Sequence, residues 1–144
     1  MDVREILPPD TGLAFLAMQA LRTQLADEAE FLRLVDEVQR PEGYRIVGAF
    51  DREEPAAAAV AGFREGNNLA WGHFLYVDDL ATRPEFRRRG LGTALLVWLA
   101  REAARLDCDQ LHLDSGVGLE RADAHRLYMS SGLTITAHHV GRPL

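Results

Sequence analysis

The sequence predicts a single α/β domain, residues 1–144, with a mixed central β-sheet flanked by about four helices. Three observations predict it. Apolar residues recur at helical spacing near the start and again from Leu91 to Leu106. Strand-like runs separated by turn residues fill 44 to 82. The order strand, helix, strand from 69 to 114 requires a right-handed crossover and hence local parallel pairing.

In chain order, Asp2 to Leu7 reads as a short strand, and Pro8-Pro9-Asp10 punctuates it, with Asp10 a fair N-cap. Leu13, Leu16, Ala17, Ala20 and Leu21 mark one helix, and Phe31, Leu34, Val35 and Val38 a second, ended by Pro41 and Gly43. Tyr44 to Phe50 is a strand, Asp51 to Pro55 a charged turn, and Ala56 to Arg64 a strand. Gly66-Asn67-Asn68 signals a hairpin into the long strand Leu69 to Thr82. Leu91, Ala94, Leu95, Trp98, Leu99 and Leu106 lie on one helix face, and Gln110 to Asp114 is a strand. Arg121 to Ser131 is a short helix closed by Gly132, and Thr134 to Val140 is read as a last strand.

Composition narrows the function. The apolar fraction is 47% and Cys108 is the one cysteine, so the core is built without a disulfide. Cys108 reads as a small core residue. Net charge is −6, against a nucleic-acid partner, and all basic residues are Arg. The absence of Lys excludes Schiff-base chemistry and a Walker P-loop. The first residues lack a signal-peptide pattern, and the most apolar stretch, Leu91 to Ala104, contains Arg101 and Glu102. The expectation is a soluble, cytoplasmic protein with no membrane partner.

The most informative segment is Thr82 to Thr93. Pro84 stops the strand and the helix begins near Gly90, so Arg88 to Thr93 present unpaired amides at a positive helix end, a geometry that receives phosphate. Gly90 and Gly92 let a pyrophosphate approach the backbone, and Arg87, Arg88 and Arg89 add positive field. A surface turn with solvated arginines is the plain alternative. A dinucleotide fingerprint is disfavoured, since the third glycine is missing and no acidic residue sits in a clear second-strand position.

Arg87-Arg88-Arg89-Gly90-Leu91-Gly92, after a strand ending in Leu80-Ala81-Thr82-Arg83-Pro84 and before an amphipathic helix, resembles the acyl-CoA motif of the GNAT acyltransferase superfamily. Ala124, Tyr128, Gly132 and Leu133 resemble its second motif, in the expected order. Arg121 stands where the family usually has Asn, and Leu133 where it has Phe. The resemblance covers roughly residues 44 to 140. It implies a single-domain GNAT-type fold, with acetyl-CoA as co-substrate held by Leu80, Thr82, Arg87, Arg88, Arg89, Gly90, Gly92 and Thr93.

The resemblance further implies an N-acetyltransferase that moves an acetyl group to a primary amine of a small molecule or peptide, by direct attack in a ternary complex. A strand splay near Asp79 to Thr82 would expose the Leu80 amide to the thioester oxygen. Tyr128 would protonate the leaving thiolate. Asp78 is the preferred base, with Asp79, His73, His112, His125 or water open. Strand alternation puts Phe74, Tyr76, Asp78 and Leu80 on one face, and a bulge would change that. His125, His138 and His139 do not complete a ligand set, so no metal is expected. Trp71 and Trp98 read as core, and Asp27, Glu28, Glu30 and Asp36 as a solvated helix face, with a lining for the amine entrance as the alternative. The rival function is a non-catalytic acyl-CoA-binding or sensor domain. A homodimer is compatible with the resemblance.

Overall fold

The computed structural model describes residues 1–144. Five strands form one sheet in the order β1 (Asp2–Ile6), β2 (Arg45–Phe50), β3 (Ala59–Asn68), β4 (Gly72–Thr82), β5 (Gln110–Leu113). The first four are antiparallel neighbours, and β5 runs parallel to β4, as a crossover through α3 (Leu91–Arg105) requires. The other helices are α1 (Phe15–Leu21), α2 (Glu28–Leu32) and α4 (Ala122–Ser130). No helix is long and apolar enough to cross a membrane.

Period-2 alternation divides the buried residues between two faces. Val47, Ala49, Ala61 and Phe63 pack under α3, against Leu91, Leu95 and Leu99 at i, i+4 spacing. Ile46, Phe50 and Val60 point the other way, onto Met18, Phe31 and Val35. The central strands are covered on both faces, which is why they read as nearly continuous apolar runs. Fully burying Leu95 and Leu99 contributes about 1.5–3 kcal/mol each.

Several expectations are corrected. Residues 134–140 form no strand. Ile135 and Val140 are exposed, so nothing buries the apolar alternation that suggested one. The β3–β4 turn lies at 69–71, beyond the Gly66 signal, because the Asn68 side chain accepts the Trp71 amide at 2.7 Å and Gly72 supplies φ +73°. Asp10 caps nothing by its side chain; the side-chain cap is Asp27 on the Glu30 amide, at the start of α2. Asp36 is not part of a solvated face, since it accepts from the buried Thr11 hydroxyl at 2.8 Å and pairs with Arg40. Trp98 packs on the core below α3, but Trp71 stacks on His112 outside it, with ring centroids 3.6 Å apart.

One charge is buried within α3. Glu102 is 7% exposed and bridges Arg45 (2.8 Å) and Arg105. Burial disfavours its charged form, but the two guanidiniums more than offset this and hold the carboxyl below its ordinary value of 4.5. A depressed carboxylate stabilises above its unfolded pKa, and that stability is lost as pH falls through the folded value. Glu102→Gln should therefore cost about 2 kcal/mol at neutral pH. The difference from wild type should shrink in thermal melts at pH 3.

Candidate active site

β5 pairs with β4 only from Phe74 to Val77, whereas β4 continues to Thr82. From Asp78 onward the side of β4 facing away from β3 has no strand partner. The sheet forks there, where the splay was expected. A register shift opposite Gly62/Phe63 accompanies the fork: Gly62 faces Asp79 and Phe63 faces Val77, leaving Asp78 as the extra, bulged residue. The bulge corrects the facial assignment. Leu80 packs on the α3 side with Leu75 and Val77, away from Tyr76, while Ala81 joins the α1–α2 side.

The fork opens into a cleft of about 470 Å³. Its walls bring together Leu80 and Thr82 from β4, Arg87, Arg88, Gly90, Gly92 and Thr93 from the turn and first turn of α3, and Tyr128 from α4. Arg89 does not line it. That side chain lies over the Phe86 ring and 3.8 Å from Asp51. The same walls carry Arg121, Glu120 and Asp123, so the positive field of the turn is partly balanced on the α4 side.

The turn is built to leave its amides free. Arg88 (φ +62°) and Gly90 (φ +78°) are left-handed, which alternates the backbone into a concavity of N–H groups. No backbone amide from Arg88 to Thr93 bonds to the protein; Ala94 is the first to find a helical carbonyl, that of Gly90 at 3.0 Å. A Cβ at Gly90 would meet nothing within 4 Å, so the space above the amides is open. Gly92 has a second reason to be glycine. A Cβ there would lie 2.8 Å from Leu127 Cδ2, so its absence lets α4 close onto α3.

Tyr128 is 5% exposed and lines this cleft. Burial raises its pKa above the ordinary tyrosine value, and the charge of Arg121 draws it part of the way back. The phenol is therefore protonated at neutral pH, the state a proton donor needs.

The two carboxylates of the fork lie on the other face. They line a pocket of about 270 Å³ between the sheet and α1–α2, with Met18, Leu25, Phe31, Leu34 and Val35 as apolar walls. Leu34 and Val35 come from a π-helical continuation of α2, Arg33–Gln39, a widened turn of the kind found at functional sites. Asp79 is saturated: Oδ1 accepts from Arg22 Nε at 2.8 Å and Oδ2 from the Tyr44 hydroxyl at 2.6 Å. Asp78 Oδ2 accepts from Arg64 Nε at 2.7 Å, and Oδ1 has no protein partner. Burial raises the Asp78 pKa, with Arg64 opposing.

Arg22, Tyr44 and Arg64 were not legible as site residues. The one signal was Gly62 inside a strand, since a Cβ there would collide with the Tyr44 hydroxyl. The candidate histidines lie elsewhere: His112 stacks on Trp71, His125 meets the Gly116 carbonyl at 2.8 Å, and His139 meets Asp114 at 2.9 Å.

Comparison with known proteins gives the family and supports the fold. The model of the acetyltransferase (GNAT) family matches residues 8–133. No curated protein matches the chain in sequence. In fold it is similar to a transcriptional regulator from Bacillus halodurans C-125 (TM-score 0.82, 16% identity, 99% of each chain covered). It is similar to an acetyltransferase from Trypanosoma brucei (TM-score 0.78, 17% identity, 99% of each chain). It is also similar to an aminoglycoside N-acetyltransferase solved in complex with CoA (TM-score 0.75, 16% identity, 99% of this chain and 93% of that one). With a forked sheet, free amides at the start of α3 and a family match over most of its length, the chain belongs to the GNAT acetyltransferases, a family that uses acetyl-CoA.

Proposed function

We propose that the protein is an N-acetyltransferase that transfers the acetyl group of acetyl-CoA to a primary amine of a small molecule or peptide, by direct attack in a ternary complex. The observation that carries this reading is that two pockets meet β4 at the fork, the cleft lined by Leu80 and the smaller pocket by Asp78. The amides of Arg88 to Thr93, with Arg87 and Arg88, receive the diphosphate. The free edge of β4 pairs with the pantetheine, and the Leu80 amide donates to the thioester oxygen as negative charge builds there. The cleft face of α4 supplies Tyr128, which gives its proton to the departing thiolate.

Asp78 takes the amine proton. Of the two acids it alone keeps an unpartnered oxygen, and its raised pKa makes it a stronger base than an ordinary aspartate. The amine pocket is apolar at one end, and each acid at the other carries an arginine. That chemistry suits a compact amine with an apolar body better than a polycation.

The test is an amine library assayed for thiol release from acetyl-CoA. Apolar monoamines should turn over best. Asp78→Asn should lower kcat by roughly 10²-fold with the fold intact, whereas Asp79→Asn, which disturbs Arg22 and Tyr44, should chiefly lower Tm. Tight CoA binding without turnover on any amine would favour the sensor reading instead.

A further inference from the structure

At the far end of β4 the hairpin brings three unlike donors together. Leu75 faces Glu65 and His73 faces Asn67 in the antiparallel register, so Glu65 and His73 are diagonal neighbours on the α3 face. Cys108 enters from the turn between α3 and β5. Reciprocal bonds fix that turn to β4: Asp109 N–H to the His73 carbonyl at 2.6 Å, and His73 N–H to the Asp109 carboxylate at 3.0 Å. His73 Nε2 stands 2.7 Å from Glu65 Oε2 and 3.7 Å from Cys108 Sγ, and the three donor atoms all lie within 4.8 Å of one another. His73 Nδ1 lies 3.3 Å from the Asp107 carbonyl. Carbonyl and carboxylate oxygens only accept, so in the metal-free protein Nδ1–H donates to Asp107 and Nε2–H to Glu65, and a bound ion would take the place of the Nε2 proton while the Nδ1–H contact stays. Metal-bound histidines are held by this same outer contact.

We propose that Glu65, His73 and Cys108 form a binding site for a divalent metal ion of the zinc type. Zinc holds thiolate at about 2.3 Å and imidazole or carboxylate at about 2.0–2.2 Å, so tetrahedral donors stand roughly 3.3–3.7 Å apart. The His73–Cys108 pair already has this spacing. Glu65, whose side chain is 41% exposed, needs to withdraw by about half an ångström.

A thiolate with an imidazole and a single carboxylate suits zinc or cobalt and not calcium or magnesium. Thiolate and carboxylate together neutralise the ion, and Asp107 and Asp109 add negative field beside Cys108. Binding releases the Cys108 thiol proton, and any proton on His73 Nε2, to solvent; no electron is transferred. A water completes the open vertex. His73 and Leu80 are seven positions apart on β4, about 23 Å of strand, so the ion staples the hairpin to the α3–β5 turn and takes no part in acyl transfer. His125, His138 and His139 are not part of this cluster.

The experiment is a titration of tag-free protein with Co²⁺. A thiolate-to-cobalt charge-transfer band should saturate at one equivalent, and Zn²⁺ should displace the cobalt and raise Tm. Cys108→Ser should abolish the band. His73→Gln and Glu65→Gln, which alter partly exposed side chains, should keep the wild-type circular dichroism and weaken Co²⁺ binding by at least roughly tenfold each. Absence of a thiolate band in well-folded wild type would overturn the proposal. So would unchanged Co²⁺ affinity in His73→Gln and Glu65→Gln.

Discussion

Tyr128→Phe should lower kcat by roughly 10²–10³-fold while the dissociation constant for CoA stays within about twofold of wild type. The substitution removes one oxygen and leaves the ring that packs beneath α3. The loss should fall on the proton delivered to the thiolate rather than on cofactor binding. Steady-state kinetics with the best amine, together with calorimetry on CoA, measure both quantities.

The pH profile gives an independent check. Burial holds the phenol above the ordinary tyrosine value, and Arg121 only partly reverses this. The active form is the protonated one, so activity is lost as pH rises through the raised value. Wild type should show no falling limb in kcat below about pH 10. A variant that retains full kcat would show that water protonates the thiolate.

Thr93→Glu should move stability and cofactor affinity in opposite directions. Thr93 is exposed, lies in the first turn of α3 and borders the cleft. A carboxylate there complements the free amides and the helix dipole, adding about 0.3–1 kcal/mol to the stability of the unliganded protein. The same carboxylate competes for those amides and repels a diphosphate, so CoA affinity should fall by about 10²-fold. A helix-capping surface turn with no anion role predicts the higher Tm without the loss of affinity. Thermal melts and calorimetry separate the two.

Elements with a strong local period were legible in the sequence. α3 is one, because Leu91, Leu95 and Leu99 repeat at helical spacing and Gly90 marks its start. The parallel β4–β5 pairing is another, because a strand–helix–strand order permits little else. The strand expected at 134–140 failed for the converse reason: alternation without a partner surface carries no driving force. The turn from Arg87 to Thr93 was readable because open amides and small residues are local properties. Arg89, in the middle of it, was not, because Asp51 and the Phe86 ring that draw it aside are distant in sequence or on the other flank of the turn.

From the linear order of residues came the α/β class and the helix that opens on free amides, with Tyr128 placed on the short helix after β5. Contacts between distant segments settled the rest. The bulge at Asp78 exists only because β3 pairs with β4 out of step at Gly62, and it turns Leu80 to one face while leaving both acids on the other. Arg22 and Tyr44 occupy both oxygens of Asp79 and leave one of Asp78 free, across 57 and 35 residues of chain. Periodicity reports which face a residue favours, but a single register slip reverses it, and that slip is set by the partner strand.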